Sequence, residues 1–187
     1  MKKRESFFTR LIKGWGYFAA GYIMNVWFCT VMLTFAGNSL LVKLLTGLSA
    51  LLIVNGLFFN YSYNAAKADR EQIKYHGAEY DKFMPLKMSL AVPLFHYVCF
   101  IALCLCKAGI ITGERINYSF NYYSLLNIHT LPWTAMFTEG RDLAHLTIPG
   151  LLGLLLINLI EPAVITLTYE LTLKDIDVRK VMYKNKQ

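Results

Sequence analysis

LTIPGLLGLLLINLIEPAVITLTY, residues Leu146 to Tyr169, decides what kind of protein this is. Its one charged side chain is Glu161. At 1.5 Å per residue it is long enough to cross a hydrocarbon core about 30 Å thick, which takes roughly 20 predominantly apolar residues. Working outward, three more runs of this kind precede it, and the predicted spans are 15–36, 39–60, 88–110 and 146–169. The expected fold is therefore all-α, a polytopic integral membrane protein with about four transmembrane helices in a single domain.

Composition agrees with a lipid solvent. The chain has 187 residues, of which 56% are apolar and 17% charged, whereas a soluble domain carries about a quarter charged residues. Mean hydropathy is +0.39 and the pI near 9.2. A net charge of +7 could suggest nucleic acid, but the basic residues flank apolar runs rather than forming one patch, so no nucleic-acid partner is expected.

Those flanks set the expected orientation, because lysine and arginine are retained on the cytoplasmic side. Lys2, Lys3, Arg4, Arg10 and Lys13 precede the first run. Lys67, Arg70, Lys74, Lys82 and Lys87 lie in the 61–87 loop, and Lys174, Arg179, Lys180, Lys184 and Lys186 follow the last run. The opposite side has Arg115 and Arg141 in its loops, with Lys43 and Lys107 near helix ends where their stems can snorkel. Both termini are expected to be cytoplasmic, in a plasma (cell) membrane. The basic start resembles the n-region of a signal peptide, but its apolar stretch is long enough to span, so an uncleaved first helix is expected.

Local signals refine the helices. Ala36-Gly37-Asn38-Ser39 leaves room only for a tight turn, with Asn38 or Ser39 as N-cap. Ala65, Ala66, Ala68, Glu71 and Gln72 favour a helical extension of the second span that Gly77 ends. Phe7, Phe8, Leu11, Ile12 and Trp15, set against Arg4, Arg10 and Lys13, predict a short interfacial helix before the first span. Glu170 with Lys174, and Asp175 with Arg179, are spaced i,i+4 on a continuation of the fourth.

The outer loop, 112–145, is aromatic, with Tyr118, Phe120, Tyr122, Tyr123, Trp133 and Phe137 among Asn121, Asn127, His129 and Pro132. A fifth span there would put the basic C-terminus outside, so an interfacial or re-entrant segment over 120–137 is expected. Gly16 and Ala20, like Gly47 and Ala50, offer small surfaces for close helix approach. Cys29, Cys99, Cys104 and Cys106 read as buried apolar residues, with a Cys29 to Cys104 bridge as the alternative.

Candidate chemistry rests on polar residues inside the spans, since each costs at least ~2 to 3 kcal/mol in hydrocarbon unless satisfied in the bundle. They are Glu161, His96, Asn158, Asn55 and Asn25. Glu161 stands beside Pro162, which takes the helical partner from the Asn158 carbonyl. By depth, His96 is the nearest partner for Glu161. The alternatives are a proton or cation site in a broken helix, or a kink whose freed groups bond one another. The residues Tyr75, His76, Glu79, Tyr80 and Asp81 read as a solvated headgroup-level cluster.

No HExxH, GxSxG, P-loop or GxGxxG pattern is present, and no catalytic residue, metal-ligand set or cofactor is expected. With loops too short for a catalytic domain, the expected function is an accessory or structural subunit of a larger membrane assembly. The alternative is a small oligomeric proton-coupled transporter or channel using the Glu161/His96 pair. The lipid bilayer is the expected partner, joined by a membrane-protein partner or a second copy of the chain.

Overall fold

The computed structural model describes residues 5–37, 39–139 and 143–174. Within them all regular structure is helical: α1 (Phe7–Ala36), α2 (Leu40–His76), α3 (Met84–Ala91), α4 (Leu94–Lys107), α5 (Arg115–Leu126), α6 (Leu131–Phe137) and α7 (Ile148–Leu173), with 3-10 turns at Ile128–Thr130 and Leu143–His145. The basic run Lys2 to Arg4, the Asn38 cap, Arg141, the Asp175 with Arg179 pair and the other basic residues of the C-terminus lie outside the described residues.

α1, α2 and α7 are each long and apolar enough to cross a membrane, and α3 with α4 forms a fourth candidate bent by 59°. A bend of 59° is a kink rather than a reversal, so the pair continues in one general direction. Trp27, Phe35, Leu52, Ile148, Leu156 and Leu167 point outward, as lipid-facing side chains do in a protein whose solvent is hydrocarbon.

The ends of these helices follow from local residues. The hydroxyl of Ser39 accepts from Val42 N and that of Thr147 from Gly150 N, satisfying donors that a first helical turn leaves orphaned. Gly77 ends α2 in a left-handed conformation, φ 63°, so the extension runs to His76 and much of the expected 61–87 loop is helix. At the α3–α4 break Pro93 has no N–H to offer the Ser89 carbonyl four residues earlier. The hydroxyl of Tyr97 donates to that oxygen instead, at 3.0 Å.

Several expectations are corrected. No separate interfacial helix precedes the first span, because α1 runs unbroken from Phe7. Arg10 is not part of a solvated basic face: it is 2% exposed and bound to Asp69 of α2. The four cysteines are free, so Cys29 and Cys104 are not bridged. Gly16 and Ala20 face outward with open space beside Gly16, whereas Gly47 and Ala50 are buried.

Between α4 and α7 the chain forms a helical hairpin, as the interfacial or re-entrant expectation allows. α5 runs inward, the turn Ile128–Thr130 packs against α1 and α2, and α6 returns along α2. Its tip is enclosed, with Asn127 and Thr130 wholly buried and His129 1% exposed. Two glycines seat the returning helix. A Cβ on Gly47 would lie 2.6 Å from the Trp133 ring, and one on Gly153 2.8 Å from that of Phe137, so only a bare backbone admits either ring.

Two apolar cores bracket the middle of the bundle. One holds Leu51, Phe100, Leu103, Tyr123, Leu154 and Ile157 near the hairpin. The other joins Phe58, Met84, Met88, Val92, Ile165 and Tyr169 toward the end where α1 begins and α7 finishes, here termed the basic end.

Candidate functional site

Glu161 lies about midway along α7 with its side chain fully buried. His96 reaches it from the first turn of α4, just past the Pro93 kink, and His96 Nδ1 is hydrogen-bonded to Glu161 Oε2 at 2.8 Å. The kink aims the imidazole inward, where it packs on the ring of Phe18 of α1 at 4.7 Å between centroids.

The other carboxylate oxygen faces His129, from the hairpin tip. His129 Nε2 is 3.2 Å from Glu161 Oε1, yet the two atoms are not aligned as a hydrogen bond and each is enclosed without another partner. The imidazoles lie against one another, centroids 4.5 Å apart and planes 39° apart. One donor atom from each of His96, His129 and Glu161 falls within 4.8 Å of the others. Three elements far apart in the chain thus converge on one point.

Polar groups surround it. Asn25 of α1 is fully buried and donates to Gly21 O at 3.0 Å within its own helix, leaving Oδ1 without a partner. It lines a small cavity together with Tyr17, Phe58, Leu126, His96 and His129. Asn158, one turn before Glu161 on the buried face of α7, lies beside the hydroxyl of Tyr123. Thr130 Oγ1 donates to Asn127 O at 2.8 Å and sits 3.2 Å from the same phenol, which fixes the turn that carries His129.

Of the residues singled out in sequence, the fold brings Glu161 and His96 into contact, Asn25 into the adjoining cavity and Asn158 onto the face that carries Glu161. Asn55 does not join them. It is half-buried and its amide donates to Leu51 O of its own helix. Sequence reasoning missed His129. The signal was there in kind: a polar Asn127 to Thr130 stretch in an apolar segment too awkward to cross marks where a hairpin tip must be buried in protein.

A second buried network was also missed. Arg10 Nη1 donates to Asp69 Oδ2 at 2.6 Å while its other terminal nitrogen holds Oδ1, and the hydroxyl of Tyr169 donates to Asp69 as well. The hydroxyl of Tyr61 binds the Arg10 carbonyl at 2.8 Å. A bidentate pair of this kind is among the strongest side-chain contacts, and it ties α1, α2 and α7 together at the basic end. On the opposite side, Asn117, Asn121, Ser124, Thr134 and Thr138 line an open cleft between α5 and α6.

In the loop at the basic end, the Tyr80 hydroxyl donates to Glu170 Oε1 at 2.8 Å. Partial burial, reinforced by the Glu170 carboxylate, pushes the phenol up to about 12. Asp81 pairs with Lys87 at 3.0 Å and Glu170 with Lys174 at 3.8 Å.

Compared with known proteins, the chain matches no family model, no curated protein and no solved structure.

Proposed function

We propose that this chain is a small membrane carrier or channel for cations, protons among them, in which Glu161 is the binding carboxylate. One observation carries the reading: a fully buried glutamate halfway along an apolar helix, flanked by two buried histidines from two other elements. Ionisable groups are expensive in hydrocarbon and, where present, mark ion routes or relays more often than scaffolding. A kinked helix and a re-entrant hairpin are also the devices by which irregular backbone reaches membrane depth to line an ion site.

A polar cleft lies between α5 and α6, and the Arg10 to Asp69 pair and the apolar core around Met88 lie toward the basic end. The short loops favour an accessory subunit; we prefer the carrier reading because Glu161, His96 and His129 gather in one buried place where each is costly to desolvate.

We place the chain in the plasma membrane with its basic end cytoplasmic. Lys13, Lys67, Arg70, Lys74, Lys82, Lys87 and Lys174 gather at that end, as the retention of positive charge requires. Among the described residues there is one such site, and a homo-oligomer is the proposed working form.

Reconstituted in vesicles holding a pH-sensitive dye, the unaltered protein is expected to dissipate an imposed proton gradient. Glu161→Gln abolishes this, and Glu161→Asp retains part of it. Dissipation no faster than in protein-free vesicles overturns the reading.

A further inference from the structure

We infer that His96, His129 and Glu161 form a three-ligand site for a divalent transition-metal cation of the zinc class. The inference rests on the cation-carrier reading and names the substrate it would take.

Two imidazole nitrogens and one carboxylate oxygen are a donor set of borderline softness. It suits zinc, cobalt or ferrous iron, whereas magnesium and calcium favour all-oxygen shells. One pair already has the spacing. In a tetrahedral site with bonds of 2.0–2.1 Å the ligand atoms stand about 3.3 Å apart; His129 Nε2 and Glu161 Oε1 are 3.2 Å apart, and the full set lies within 4.8 Å, so the third ligand closes in by a rotamer adjustment when the ion binds.

The alignment of that pair is the second observation. A histidine placed only to hold the glutamate would point an N–H at it, as His96 is placed to do. His129 Nε2 and Glu161 Oε1 instead approach without a hydrogen bond and are sealed from any other partner, an arrangement costly in itself and resolved when both turn to a shared cation. Three protein ligands leave a fourth position open. An ion held this way can be released, as a transported ion must be.

The ring nitrogen of His96 that now binds Glu161 would have to be shared or given up when the ion arrives, so hydrogen bond and ion compete for one carboxylate. The ligands come from α4, α7 and the hairpin tip, so one ion would link three separate elements.

The test uses the full chain, purified in detergent and stripped with a chelator, then titrated with Co2+ and with Zn2+. One ion per chain is expected by equilibrium dialysis, with Co2+ giving the intense visible absorption of a tetrahedral site. His129→Ala and His96→Ala should each weaken binding at least ~10-fold, while His76→Ala and His145→Ala, both exposed, should leave it unchanged. A large excess of Mg2+ should not displace the ion. Circular dichroism and size-exclusion profiles establish that each variant is folded, and the wild-type stoichiometry stands without any variant.

No retained Co2+ or Zn2+ on the unaltered chain overturns the inference. So does binding that His129→Ala leaves intact. Metal bound with no flux in vesicles upholds the metal site and sinks the carrier reading, whereas proton flux without metal binding sinks only the metal site.

Discussion

His129 and Glu161 meet at 3.2 Å through Nε2 and Oε1, one from a 3-10 turn and the other from the middle of a long apolar helix. The turn can be there because it packs against α1 and α2, and Thr130 satisfies the Asn127 carbonyl where the α5 helix ends. The site thus depends on the hairpin as much as on α7.

Replacing Glu161 separates function from stability. Breaking a buried pair by removing one partner is costly, but exchanging a buried charge for an apolar residue of like volume is often neutral or stabilising. Glu161→Leu together with His96→Leu should leave the thermal midpoint in detergent within a few degrees of the unaltered protein, or raise it, while flux is lost. A fall of ~3 kcal/mol or more in the double variant would indicate that the pair serves to hold the bundle.

The Arg10 to Asp69 contact behaves differently. Asp69→Ala leaves a buried guanidinium without its counter-charge, and should destabilise by roughly 3–5 kcal/mol. Pairing it with Arg10→Met should recover most of the loss. Denaturant unfolding followed by tryptophan fluorescence measures both, and equal losses in the single and double variants would contradict the contact.

At Gly47 the constraint is steric. A side chain there would overlap the Trp133 ring, so Gly47→Val should cost about 1–3 kcal/mol as overpacking does and push α6 off α2. Gly16→Val, with open space beside it, serves as the control and should change stability far less.

Tyr80 supplies a pH test. Its phenol titrates near 12 in the folded chain against an ordinary value of 10.0, and a group raised on folding lends stability below its unfolded value that is lost as pH climbs through the folded one. Tyr80→Phe should therefore be the less stable protein at pH 8, by roughly 1 kcal/mol for one hydrogen bond. The difference should disappear between about pH 10 and 12. A gap independent of pH would mean that the hydroxyl contributes nothing through Glu170.

What the residues determine alone is the solvent and the local backbone. Apolar runs of spanning length dictate helices in lipid. Ser39 and Gly77 mark ends, because capping acts within a turn of the residue that causes it; the Thr147 cap and the break at Pro93, which falls inside the expected 88–110 span, came from the structure. Even the contact of Glu161 with His96 was legible, since distance along a helix measures depth in the bilayer.

His129 with Glu161, and Arg10 with Asp69, were decided by tertiary structure. Depth says how far into the bundle a side chain lies, but not which way it faces or which helix stands opposite. Those are settled when glycines such as Gly47 and Gly153 admit the aromatic rings of α6 and so seat the hairpin. A basic residue near a helix start reads as solvated until a carboxylate from another helix is packed against it. Pairing across the fold is a property of packed surfaces, and no local pattern in the chain encodes it.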